Sequence, residues 1–153
     1  MHEFAITTEW TGAGEEGTAT YKSYTRDYDI SADGKPTLKG SAAPAYKGDP
    51  ARHNPEDLFV ASASGCHMLS YLHLCAVSKV VVTGYTDDAV GRLATDASGS
   101  GVFEEIVLRP RVTIAAGSDA AKAEALHEKA GEICFIARSL ACPVRHEPTI
   151  VAG

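Results

Sequence analysis

The sequence predicts a single α+β domain spanning residues 1–153, and three observations carry that expectation. Strand-type stretches are followed by one long helical stretch, then strands, a second helix and a closing strand. The 153 residues are 44% apolar and 22% charged, enough to bury one core. No internal repeat or low-complexity segment interrupts the order.

Residues 2–46 hold three β-type runs, roughly His2–Trp10, Thr18–Ile30 and Pro36–Ala43. The segments TGAGEEG and SADGK punctuate them, which reads as an antiparallel meander. SAAPAYKGDPARHNP holds three prolines and a glycine, so the chain is loop until Asn54. Asn54-Pro55-Glu56-Asp57 then starts a helix: Asn accepts from free backbone N–H groups, Pro suits the first turn, and carboxylates favour the positive helix end. The helix should run to about Ser78. It is almost uncharged after Asp57, which predicts a central helix buried on all sides, covered by more than one sheet and by a second copy of the chain.

Val80–Val82 opens the next strand region, and ASGSG marks a turn. From Val102 to Ala115, Ile106, Leu108, Val112 and Ile114 alternate with Val107, Arg109, Arg111 and Thr113, a strand with one buried face. Pro110 makes it an edge strand or a bent one. Ser118-Asp119 caps a second helix that Cys142-Pro143 should end, and Val144–Val151 closes the sheet.

Net charge is −6 with 14 scattered Lys and Arg, so no basic stripe offers a nucleic-acid surface. The first residues lack a basic n-region and an apolar h-region, and no stretch reaches bilayer-spanning length, so a cytoplasmic protein with no membrane partner is expected. In that reducing setting, four cysteines point to transient, catalytic disulfide chemistry rather than a disulfide scaffold.

Cys66 sits mid-helix as SASGCHML. It reads as a small buried hydrophobe or as a reactive thiolate, and the second reading needs a cation from elsewhere, because the helix dipole fades within the first turn. An arginine held by a carboxylate is the economical source. Cys75 falls on the opposite helix face, and Cys142 lies about 12 Å past Cys134 on a continuous helix, which leaves Cys66 and Cys134 as the open pair. His67 and His73 lack metal-ligand spacing, so neither a metal nor a cofactor is expected. His73 shares the face of Cys66 and is a candidate for a pocket wall. A G-x-S-x-G elbow is absent.

Asn54-Pro55-Glu56-Asp57-Leu58-Phe59, with Gly65-Cys66 downstream, resembles the OsmC/Ohr family of thiol-dependent organic hydroperoxide reductases. Cys134-Phe135-Ile136-Ala137-Arg138-Ser139-Leu140 is similar to that family's C-P-x-S-[KN]-A-[LT] segment. The resemblance implies an intertwined dimer with antiparallel sheets around the long helix. It implies that Cys66 is the peroxidatic cysteine, Cys134 the resolving cysteine, Glu56 the glutamate of N-P-E, and Arg26 the arginine of a G-G-R-D-G turn. Arg52 is the rival to Arg26. His67 and Phe135 depart from the aromatic and the proline usual after the two cysteines, which marks a divergent branch.

The implied reaction reduces an organic hydroperoxide to an alcohol through a Cys66 sulfenic acid and a Cys66–Cys134 disulfide, which an external dithiol reductant reopens. Arg26 would stabilise the thiolate and Glu56 would hold the guanidinium. The apolar residues around Cys66 favour an organic over an inorganic peroxide. The alternative is a non-catalytic dimeric module that binds an apolar small molecule. Glu56 and Cys66 lie about 15 Å apart along one helix, so Glu56 and Arg26 are expected to serve the cysteine of the second copy in a homodimer.

Overall fold

In the computed structural model, which describes residues 1–153, contacts divide the chain into two units, Met1–Leu58 and Phe59–Gly153. In the first unit, β1 (Thr7–Trp10), β2 (Tyr28–Ser31) and β3 (Leu38–Gly40) pair antiparallel in that order, the expected meander. The expected strand over residues 18–30 forms only at its end. Residues 11–27 form a loop carrying one 3-10 turn at Gly17–Ala19, tied by Trp10 Nε1 donating to the Thr25 carbonyl at 2.9 Å and by Thr25 N–H donating to the Gly12 carbonyl at 2.9 Å. A Cβ at Gly12 would stand 2.3 Å from the Thr25 carbonyl oxygen, so this close approach requires glycine.

The helix α1 (Pro55–Val77) begins at the end of the first unit and continues into the second. Its start is a reciprocal cap: Asn54 Oδ1 accepts from Asp57 N–H at 2.8 Å, and Asp57 Oδ2 accepts from Asn54 N–H at 3.3 Å. Only Ala63, His67, Tyr71 and Cys75 are buried, a single stripe at four-residue spacing, while Leu69 and Val77 stay 65% and 63% exposed. The expectation of burial on all sides is thereby corrected for the single chain. So is the expectation that no segment reaches bilayer-spanning length, since α1 is long and apolar enough to cross a membrane by length and composition.

The second unit contains two sheets. β4 (Val82–Asp87), β7 (Pro110–Ile114) and β9 (Thr149–Ala152) form one; β5 (Val90–Thr95), β6 (Gly101–Leu108) and β8 (Val144–His146) form the other. The sheets are mixed rather than purely antiparallel, because β8 runs parallel to β6 and β9 parallel to β7. The expected strand from 102 to 115 is broken at Arg109, whose N–H leaves the ladder and donates to Asp87 Oδ1 at 2.7 Å. Pro110 opens β7, where its missing N–H costs no interior ladder bond, and both halves are central strands rather than edges. Val107 is buried along with Ile106 and Leu108, so the alternation read from sequence fails at the sheet change.

Two apolar clusters follow. Tyr71, Cys75, Val80, Val112 and Ile114 meet Ala123, Leu126 and Ala130 of α2 (Ala120–Ile133), and Ala63 meets Ile106 and Leu108. Each fully buried Val, Leu or Ile side chain there contributes about 1.5–3 kcal/mol. Asp119 caps α2 as expected, its Oδ1 accepting from Lys122 N–H at 3.0 Å. The helix does not continue to Cys142. It stops at Ile133, and a short α3 (Phe135–Ser139) follows.

Candidate functional site

Cys134 is the residue at which α2 and α3 part. Its backbone is extended at φ −66° and ψ 115°, and it is the C-cap of the first helix and the N-cap of the second. Its N–H still donates to the Ala130 carbonyl at 3.0 Å, and its carbonyl accepts from Arg138 N–H at 3.1 Å. Its Sγ accepts from Ala137 N–H at 3.4 Å, the position a serine or aspartate oxygen takes at an ordinary N-cap. The chain thus breaks because a side-chain acceptor satisfies the new helix's first free N–H groups.

The kink delivers the fully buried Cys134 thiol to the Cys66 thiol on α1, which is half-buried. Burial pushes the Cys134 thiol up, the Cys66 thiol beside it pushes further, and the amides of Ala137 and Ile136 pull back. Both cysteines are reduced. Ile136 and Leu140 of the α3 segment pack on the cluster of Ala63, Ile106 and Leu108, giving the pair an apolar setting. Two residues before Cys66, Ser64 Oγ donates to Asp87 Oδ2 at 2.5 Å, which ties α1 to β4.

His67 is fully buried and its Nε2 lies 3.0 Å from Nδ1 of His127 on α2. Sequence reasoning singled out His67 but missed His127 and His146. The available signal was a histidine inside the otherwise apolar α2 stripe of Ala123, Leu126 and Ala130. His73, the candidate pocket wall, is exposed. Cys75 is buried, and burial pushes its thiol up.

The other expected site residues lie in the first unit. The Arg26 guanidinium rests over the Tyr21 and Tyr24 rings, 4.5 and 4.0 Å from their centroids, and donates to the carbonyls of Tyr24 at 2.9 Å and Tyr21 at 2.8 Å. No ion pair joins it to Glu56. The rival, Arg52, stands 3.6–3.9 Å from the carboxylates of Asp49, Asp27 and Asp29. Arg52 Nη1 and Glu56 Oε2 are buried without a hydrogen-bond partner. Tyr28 feels the Glu56 charge: burial raises its pKa and the carboxylate raises it further.

A mixed α+β frame that brings a helix thiol to a second thiol at an interhelical kink defines a protein with a paired, reduced dithiol. The family model for OsmC-like protein matches residues 48–149, and the chain belongs to that family. It superposes with a TM-score of 0.87 on an OsmC-like protein of unknown function from Vibrio cholerae, at 33% identity over 97% of this chain and 100% of that one. It is also similar in fold to an organic hydroperoxide resistance protein OsmC from Legionella pneumophila, with TM-score 0.68 and 18% identity over 98% of both chains. The organic hydroperoxide resistance protein OhrB of Bacillus subtilis gives 0.61 at 20% identity, over 97% of this chain and 98% of that one. A comparison with curated proteins gives no match.

Proposed function

We propose that the protein is a thiol peroxidase that reduces organic hydroperoxides to alcohols. The observation that carries the reading is the reach of the Cys134 thiol to Cys66 across the α2–α3 kink. Cys66, the more accessible thiol, attacks as thiolate the distal oxygen of the hydroperoxide. The O–O bond breaks, the alcohol leaves with a proton, and sulfur keeps the hydroxyl as sulfenic acid. Cys134 sulfur then displaces that hydroxyl as water and closes a Cys66–Cys134 disulfide. An external dithiol reopens it by exchange and is itself oxidised.

A guanidinium from the first unit, Arg26 with Arg52 as rival, stabilises the Cys66 thiolate, and Glu56 orients it. In this reading the protein works as a homodimer in which Arg26 and Glu56 serve the Cys66 of the second copy. The exposed Leu69 and Val77 on α1 support such cover.

Thiol counting tests the proposal. After one equivalent of cumene hydroperoxide, two of the four thiols should disappear rapidly, with peptide mapping placing the loss at Cys66 and Cys134. Retention of all four would instead leave a non-catalytic module that binds an apolar ligand.

A further inference from the structure

Three imidazoles are stacked inside the second unit, and the thiol chemistry above uses none of them. His67 comes from α1, His127 from α2 and His146 from β8. The His67 and His127 rings are nearly parallel at 8° with centroids 5.3 Å apart, and His146 lies 5.3 Å from His67 on an interplanar angle of 27°. Tyr71 stacks on His127 at 3.8 Å. His67 is 1% exposed and His127 0%, and Nε2 of His127 is buried without a partner. An aromatic hydrocarbon ring would fill this space without leaving a nitrogen unpaired, so packing alone does not account for the histidines.

What an imidazole pair adds is direction. Apolar helix faces tolerate small slides and tilts, whereas a 3.0 Å hydrogen bond is lost within a few tenths of an ångström and a limited angle. The bond joins the residue that follows Cys66 to the helix whose end presents Cys134. His127 precedes Cys134 by seven residues, a lever of about 10 Å, so a tilt of about 15° at His127 would displace the second thiol by about 3 Å. A disulfide requires Cβ atoms about 3.5–4.5 Å apart, and such a displacement would abolish it.

We propose that His67 and His127 are positioning residues whose hydrogen bond pins α2 against α1 in the one register that sets Cys134 on Cys66. The proposal rests on the two-thiol reading above and names the element that makes the pair form a disulfide. The hydrogen bond from Tyr71 OH to the Ala123 carbonyl, at 3.0 Å, is a second tie between the same helices, but lies one turn farther from Cys134. It therefore serves as the control.

The test is the equilibrium of the Cys66–Cys134 disulfide with oxidised and reduced dithiothreitol, followed by mass spectrometry, which involves no peroxide. His127→Phe keeps the ring stacked on Tyr71 and removes the hydrogen bond, and His67→Phe removes the same bond from the other side. Each should lower the equilibrium constant for disulfide formation about tenfold or more, while Tyr71→Phe should stay within about twofold of wild type, because only the first two release the lever. Wild-type constants in both histidine variants, or an equal fall in Tyr71→Phe, would overturn the proposal. A wild-type protein that forms the disulfide in this buffer but consumes no peroxide would overturn the peroxidase reading alone. One that forms no Cys66–Cys134 disulfide at any buffer ratio would overturn both.

Discussion

The sulfur of Cys134 accepts the backbone N–H of Ala137 at 3.4 Å, so one residue closes α2 through its own N–H and opens α3 through its thiol. Its chemistry and its structural duty are separable by substitution. Cys134→Ser keeps an N-cap acceptor and should leave thermal stability near wild type, whereas Cys134→Ala should lose about 0.5–2 kcal/mol. In peroxide, Cys134→Ser should stop after one turnover with Cys66 trapped as a dimedone-reactive sulfenic acid, and Cys66→Ser should consume none. Sustained cycling by Cys66→Ser would refute the assignment.

Acid should destabilise the fold through the buried imidazoles. Burial lowers the pKa of His67 from 6.5 to about 4, with the charge of His146 adding to the effect and Asp87 opposing it. Burial and the charges of His67 and His146 lower that of His127 to about 3. The unfolded chain therefore binds more protons than the folded one from about pH 6.5 downward, and stability falls as pH falls through this window. Each histidine adds a slope of up to about 1.4 kcal/mol per pH unit. Urea unfolding at pH 7 and pH 5 should show the loss, and His67→Phe should flatten it; an unchanged slope in that variant would remove His67 from the cause.

Arg26→Ala should slow peroxide consumption at neutral pH, with recovery in alkali where a thiolate forms unaided. If Arg52→Ala behaves this way and Arg26→Ala does not, the guanidinium in the acidic surroundings of Asp27, Asp29 and Asp49 is the activating one. Stopped-flow rates across pH decide between them.

Gly91 on β5 leaves no room for a side chain: an added Cβ would stand 2.5 Å from Val60 Cγ2 and 2.8 Å from Phe103 Cε1. Phe103 cannot readily yield, because its ring is stacked on Phe59 at 4.5 Å. Gly91→Ala should cost about 1–3 kcal/mol in chemical denaturation, the usual penalty of overpacking.

Much of this arrangement was legible beforehand. The α+β order, the start of α1 at Asn54 and the nearness of the Cys66 and Cys134 thiols all follow from local rules: capping, helical period and a motif. The failures have separate physical causes: a stretch without a strand partner, a local side-chain cap, and a contact between residues far apart in the chain. Thr18–Tyr24 has strand-forming residues but no neighbour to pair with, so it forms no strand and begins in a 3-10 turn. The helix before Pro143 reads as continuous, yet a thiol acceptor at Cys134 divides it. His127 is not legible in the sequence, because a lone histidine in an apolar stripe gives no sign of the ring waiting on another helix.

Subunit mixing addresses the division of labour between copies. On the proposed reading, Cys66→Ser and Glu56→Ala proteins should each be inactive alone and should regain about one site per heterodimer when exchanged, because one interface then carries both intact groups. Confirmed exchange without recovery would place Glu56 and Cys66 of the same chain in one site.

The breaks at Pro110 and at Glu147-Pro148 have a kinetic consequence. Val144 lies 38 positions after its partner Ile106 in one sheet, and Ala152 lies 38 after Ile114 in the other. One offset therefore governs both parallel ladders, although the chain changes sheets between them. Whichever ladder zips first dictates the alignment of the second, so the two sheets should be acquired in a single cooperative event whose rate is limited by closing that long loop. A residue deleted at the Arg109-Pro110 junction would set the two alignments at odds, turning the apolar face of one ladder outward, and should show as slow, heterogeneous refolding.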